Sequence, residues 1–191
     1  MSNYFSYFPT TEHDLTNIGQ TVNLTNIIRR FKVKSSLFTD SRVYSEYTIR
    51  AGERPDIVAD KFYDDPSYAW LILLFNEIDD PIFGWPIFGK EFDDYIVGKY
   101  GSIALSKSTV HEYRKVLTEK SVKFDGTIIG KRTVIIDLTT YNTLSESVRE
   151  SISKYDYEDE LNDEKSQIKI LNQRYVSQVR KQVQGILKDG I

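Results

Sequence analysis

Catalysis requires a positioned nucleophile, a base of suitable pKa or a bound metal, and the chain offers few residues for any of these roles. It has two histidines, His13 and His111, far apart in sequence, and no cysteine. A histidine triad, a thiolate nucleophile or a multi-histidine metal site within one chain is therefore not expected. Paired carboxylates occur at Asp64-Asp65, Asp79-Asp80 and Asp93-Asp94. Two carboxyl groups held at the right separation can divide acid and base roles, but two of these pairs stand directly before proline, a combination that starts turns and helices. The acidic run Asp156, Glu158, Asp159, Glu160, Asp163 and Glu164 lacks the central glycine and ordered spacing of a calcium loop and reads as a solvated helix face. No Gly-Lys-Ser or Gly-x-Gly-x-x-Gly pattern is present to cradle a phosphate. The expectation is a protein without catalytic residues, cofactor or metal.

Bulk properties narrow the partners. The 191 residues carry 40% hydrophobic and 28% charged side chains, enough of both for a folded domain with arms. A formal net charge of -3 gives no general attraction for nucleic acid. The longest apolar run, Tyr68 to Phe75, is far shorter than the roughly 20 residues a spanning helix needs, so no membrane role is expected. The start, Met1 to Phe8, is aromatic and lacks the basic, then apolar, pattern of an export signal.

Four segments follow from the patterning, and together they give an α+β fold. Residues 1–40 read as an N-terminal arm, with Thr25 placed to cap a short helix through Ile27, Ile28 and Phe31, beside the basic Arg29, Arg30, Lys32 and Lys34. The arm is either a poorly packed extension or a segment that orders on a partner. Residues 41–101 read as a strand through Tyr47-Thr48-Ile49, a break at Gly52, a helix from Pro55 to about Tyr63, and a second helix burying Trp70, Leu71, Leu74 and Phe75. An aromatic loop, Ile82-Phe83-Gly84-Trp85, and a short helix from Glu91 to Tyr100 complete that segment. Residues 102–141 alternate as a β-hairpin, with strands near Val110–Leu117 and Thr133–Leu138 around turn signals at Asp125-Gly126 and Gly130-Lys131. Residues 142–191 read as a charged stretch and an amphipathic helix whose stripe is Leu161, Ile168, Leu171, Tyr175, Val179, Val183 and Ile186. That stripe packs either on the protein's own core or on helices of another subunit.

Two resemblances give this organisation a function. Tyr47-Thr48-Ile49, Gly52-Glu53, Val58-Ala59, Phe62, Leu71 to Leu74 and Asn76 resemble, in order, a LysM module, a strand-helix-helix-strand fold usually met in peptidoglycan and chitin binding. The likeness departs at Arg54-Pro55 and at Ile82-Phe83-Gly84-Trp85, which stands where the family has its final strand. The longer pattern of Tyr47, Ile49, Gly52 and Arg54-Pro55, then Tyr63, Pro66 and Trp70, then Asn76, Asp80-Pro81 and Gly84-Trp85, is similar to the gene 53 family of baseplate wedge proteins from T-even-like contractile-tailed phages. Leu24-Thr25-Asn26-Ile27 with Arg29, and Leu161-Asn162 through Ile170, extend that similarity.

The second resemblance implies a structural protein of the virion tail baseplate, made in the bacterial host cytoplasm. It implies contacts with other wedge proteins, with neighbouring wedges and with hub or tail-tube proteins, and no nucleic-acid, membrane or small-molecule ligand. Within this reading Trp70 and Pro81 stabilise the LysM-like core. The candidate partner-contact residues are Tyr68, Phe83, Trp85, Ile168, Leu171, Tyr175 and Val179. The alternative, a peptidoglycan-binding protein, would use a groove of Gly52, Glu53, Arg54, Ile78, Asp79 and Asp80.

Overall fold

A computed structural model describes residues 4–17, 19–27 and 42–189. Of the helix expected through Ile27, Ile28 and Phe31, Ile28, Phe31 and the basic neighbours fall outside the described residues, while Thr25, expected to cap it, is instead the last residue of a strand, Val22–Thr25, and Ile27 follows in a turn. In chain order, a 3-10 turn at Tyr4–Tyr7 precedes β1 (Thr10–His13), β2 (Val22–Thr25), β3 (Tyr44–Thr48), α1 (Pro55–Tyr63), a second 3-10 turn at Pro66–Tyr68, and α2 (Ala69–Phe75). Next come α3 (Lys90–Tyr100), α4 (Ile103–Ser108), β4 (Val110–Thr118), β5 (Ser121–Val122), β6 (Ile128–Ile129), β7 (Arg132–Ile136) and α5 (Leu138–Thr143). The chain finishes with β8 (Arg149–Ser153), α6 (Lys154–Ser166), β9 (Gln167–Leu171) and α7 (Gln173–Asp189). The result is a mixture of helices and strands that divides into two units, Met1–Pro86 with Lys165–Ile191, and Ile87–Glu164.

The first unit is organised around strand β3. Its helix α1 begins on Pro55, whose missing N–H costs nothing in the first turn, and ends at Asp64, which adopts a left-handed φ of 56° and donates its N–H to the Asp60 carbonyl. Asp65 then starts the next turn, its side chain accepting from the Ser67 N–H. Thus the Asp64-Asp65-Pro66 run works as a stop and a start. Val58 and Ala59 of α1 and Leu71, Ile72 and Phe75 of α2 are almost wholly buried. Strand β9 pairs antiparallel with β3, placing Leu171 opposite Tyr44 and Ile168 opposite Tyr47. Ile168, Ile170 and Leu171 are 3%, 2% and 2% exposed and belong to this core. The Asn76 side chain accepts from the Lys169 N–H at 2.7 Å and donates to the Lys169 carbonyl at 2.9 Å, so it binds β9 as another strand would.

This arrangement corrects the reading of a single C-terminal helix. The helical stripe is interrupted: α6 ends at Ser166, Gln167–Leu171 is strand, and α7 resumes at Gln173. Ile168 and Ile170 also satisfy a period of two, and pairing with β3 decides between the two periods. The continuation Tyr175, Val179 and Val183 does lie on a helix, α7, with Val183 buried and Tyr175 half-buried. Part of the arm is also packed on this helix: Tyr7 and Phe8 form a buried cluster with Val183 and Leu187, against which Tyr4, Trp70, Leu74 and Val179 pack. Tyr4 stacks on Trp70 with ring centroids 5.1 Å apart. The β1–β2 hairpin beyond it pairs Thr10 with Thr25 and is exposed along its length.

The second unit contains the expected helix and hairpin, plus a strand that the sequence reading passes over. Helix α3 ends at Gly101, which supplies a φ of 87°, and Ser102 caps α4 by accepting from the Leu105 N–H. Strand β4 pairs antiparallel with β7, as the alternation predicts, and also with β8, giving the order β7-β4-β8. The stretch Arg149-Glu150-Ser151-Ile152-Ser153 has one large aliphatic residue, Ile152, so its alternation is faint, yet Ile152 is buried opposite Glu112. Helix α6 is tied to α3 by Glu158, which is 5% exposed and accepts from Tyr95 Oη, Tyr100 Oη and Lys99 Nζ at 2.9, 2.6 and 2.8 Å. Its neighbours Asp156, Asp159, Glu160, Asp163 and Glu164 are exposed, so Glu158 is the departure from a fully solvated acidic face. The side chain of Asn162 bonds both the N–H and the carbonyl of Ile87, at 2.9 and 2.8 Å, joining the two ends of this unit.

Two outcomes follow. Leu171→Ala should cost about 2–5 kcal/mol in a urea titration, the usual range for a truncated core leucine. Burial pushes the Glu158 carboxyl up, but the donors of Lys99, Tyr100 and Tyr95 outweigh it and hold the group below its ordinary 4.5. A depressed folded pKa gives stability above the unfolded value that is lost as pH falls through the folded one. Glu158→Gln should therefore lower stability at neutral pH and flatten its decline below pH 4.5, read from unfolding midpoints across the acid range.

Candidate partner-contact site

The loop at residues 52–54 of the first unit is fixed by hydrogen bonds to Glu53 and is joined to the loop at residues 78–85 through Trp85. Tyr47 Oη donates to the Glu53 carboxylate at 2.6 Å, the Arg50 N–H donates at 2.9 Å and Lys61 Nζ lies 3.2 Å away. Lys61 also sits over the Tyr47 ring, which meets Phe62 edge to face. Burial raises the Glu53 carboxyl, and the donors of Tyr47, Arg50 and Lys61 outweigh it, so the group stays below the usual carboxylate range. Gly52 turns the chain into this network with a φ of 84°. Arg54 is occupied by Asp56 in a solvent-facing pair at 2.7 Å, an arrangement of small energetic value.

Trp85 closes over the same loop. Its indole N–H donates to the Glu53 carbonyl at 2.8 Å and the residue is 7% exposed. Trp85, expected among the partner-contact residues, is thus buried and not presented to solvent: a large ring with one donor is stable when buried against one acceptor, and Glu53 supplies it. Ahead of it the chain makes a tight turn. Asp80 Oδ1 accepts from the N–H groups of Ile82 and Phe83, at 2.8 and 3.3 Å, and the Asp80 carbonyl accepts from Gly84 at 2.7 Å. Lys165 Nζ holds the Phe83 carbonyl at 3.0 Å. With its backbone pinned on both sides, the turn leaves the side chains of Ile82 and Phe83 72% and 71% exposed. A rigid pair of large apolar residues in water is the composition of an interface anchor.

The remaining candidates scatter. Tyr68 is half-buried, its ring against Tyr63 and its hydroxyl accepting from Arg180 Nη1 at 3.1 Å. Tyr175 lies beside the Arg174 guanidinium, and Val179 packs on the N-terminal aromatic cluster. Ile168 and Leu171 are interior and not presented to solvent. Ile78 is half-buried and Asp79 exposed. His13 stands exposed on β1, and His111 is stacked on Tyr157 at 3.8 Å. Among the described residues, no three His, Asp or Glu side chains are placed to hold a metal ion. Ile82, which the sequence analysis does not place among the candidates, is as exposed as Phe83, and its place beside Phe83 in an Asp-Pro turn is the signal for it.

A family described as "Base plate wedge protein 53" matches residues 3–126, more than half of the chain. The chain belongs to that family. It is also 26% identical over 84 residues to the baseplate wedge protein gp53 of Enterobacteria phage T4, a stretch that covers 42% of this chain and 43% of that protein. The family match includes β3, α1, α2 and the Ile82–Phe83 turn, and stops at Gly126 within the β5–β6 hairpin. Strand β9, which completes the core of the first unit in this wedge-family protein, lies beyond it.

Gly84 is the position where this turn tolerates least. A Cβ there would stand 2.6 Å from the Asp80 carbonyl oxygen and 2.8 Å from Ile78 Cγ2, so backbone must move. Gly84→Ala should lower stability by about 1–3 kcal/mol, as overpacking does, and speed amide hydrogen exchange at Ile82 and Phe83.

Proposed function

We propose that this protein is a non-catalytic structural component of the phage tail baseplate, which joins other wedge proteins and helps to link neighbouring wedges around the hub. Its place is then the virion tail, after synthesis in the bacterial cytoplasm, and hub or tail-tube proteins are further neighbours. Family membership supports the baseplate role. The observation that carries the contact role is the Ile82–Phe83 pair, held outward on a turn fixed by Asp80, Gly84 and Lys165. A loop fixed before binding loses little conformational entropy on docking, which is what a permanent joint needs.

We further propose that the β3, α1, α2 and β9 elements form a LysM-like domain whose ligand is a protein. In its favour are the strand-helix-helix-strand order and the antiparallel pairing of its two strands. Trp85 bears on the ligand, because its indole occupies the Glu53 carbonyl in the loop that a sugar-binding groove at Gly52, Glu53, Arg54, Ile78, Asp79 and Asp80 would have to present.

Replacing both Ile82 and Phe83 by Ser should leave the unfolding midpoint nearly unchanged, since both side chains are exposed, while weakening co-purification with the wedge proteins of the same phage about tenfold or more. Equal recovery of the double variant would remove this turn from the joint. Saturable retention of the purified chain on peptidoglycan would instead favour the glycan reading.

A further inference from the structure

The second unit carries a separate apolar surface at the tip of the β5–β6 hairpin. Val122 pairs directly with Ile128 across the two short strands, so both side chains lie on one face of the ribbon. Phe124 stands in the turn just beyond them, where Gly126 takes a φ of 83° and donates its N–H to the Lys123 carbonyl at 2.9 Å. The turn is fixed further by Asp125, whose carboxylate accepts from the Thr127 N–H at 2.9 Å. Phe124 is fully exposed, and Val122 and Ile128 are 66% and 65% exposed. A two-stranded ribbon of this length is marginal in water by itself, and its outward face would ordinarily be polar. Three large apolar residues on a shaped turn mark a contact face.

The charge around the tip indicates what it meets. Between Leu117 and Arg132 the cations are Lys120, Lys123, Lys131 and Arg132 and the anions are Glu119 and Asp125, in a chain whose overall charge is -3. Lys131 is engaged by Glu150, whereas the exposed Lys120 and Lys123 flank the apolar residues. A hydrophobic peg with a cationic rim complements an apolar slot with an anionic rim. Nucleic acid fits less well, because one aromatic ring and so few cations provide neither a stacking series nor a backbone-tracking groove. An anionic lipid surface would call for a denser basic cluster.

We infer that the β5–β6 hairpin is a docking peg that inserts Phe124, with Val122 and Ile128, into an acid-rimmed apolar slot on another baseplate protein. This rests on the baseplate reading and adds a second joint, in the other unit, to the one at Ile82–Phe83. Phe124 supplies the anchor, and Lys120 and Lys123 steer the approach.

The test uses the full-length chain co-expressed with the wedge proteins of the same phage, with affinity measured on the recovered complexes over a range of salt. Phe124→Ser should weaken assembly about thirtyfold or more, the loss typical of an aromatic anchor, without moving the unfolding midpoint. Lys120→Glu with Lys123→Glu should slow association and remove its salt dependence. If the wild-type chain assembles and both variants assemble equally well, the peg is wrong and the baseplate reading stands. A wild-type chain that enters no complex sinks both. Phe124-dependent binding to a 20-nucleotide single strand, or to vesicles containing anionic phospholipid, in place of a wedge protein would also overturn the assignment.

Discussion

The antiparallel pairing of β3 with β9 is the constraint on which the first unit rests. Strand β3 alone would leave its ladder groups and the apolar faces of α1 and α2 without cover. Ile168, Ile170 and Leu171 supply that cover, and Asn76 adds side-chain bonds to the Lys169 backbone that keep the strand in place. The two surface loops inherit their rigidity from this core. Glu53 is held by Tyr47 on β3 and Lys61 on α1, Trp85 is held by Glu53, and the Ile82–Phe83 turn stands next to Trp85 along the chain.

Local signals in the sequence were strong where chemistry leaves few choices. Pro55 after Gly52-Glu53-Arg54, Asp64-Asp65-Pro66 between two helices, and Gly101 after α3 all acted where their backbone preferences place them. The alternation of β4 and β7 was equally plain, and so was the break at Asp125-Gly126. Each of these signals depends on neighbours within a few residues.

What was not legible depends on partners distant in sequence. Residues 167–171 satisfy a helical stripe and a strand alternation together, and only the presence of β3 selects the strand. Arg149–Ser153 has too few aliphatic side chains to announce itself, and becomes a strand because β4 offers a free edge. Trp85 reads as an exposed aromatic in an exposed loop until the Glu53 carbonyl is known to lie beside it. In the same way, the docking of Tyr4, Tyr7 and Phe8 joins the first residues of the described chain to α7 near its other end.

The second unit is an insertion between α2 and the strand that completes their core, and this imposes an order in time. During synthesis β3, α1 and α2 emerge well before β9, with the whole of Ile87–Glu164 made between them. The inserted unit, whose ends are joined by Asn162 and Ile87, has all its pairing partners while the first unit still waits for its last strand. The surrounding domain thus closes after the inserted one, and until then the apolar faces of its helices are open to wrong partners. Completion of β9 is thus the step that hides these apolar faces, and it comes only after the whole of the inserted unit has been made.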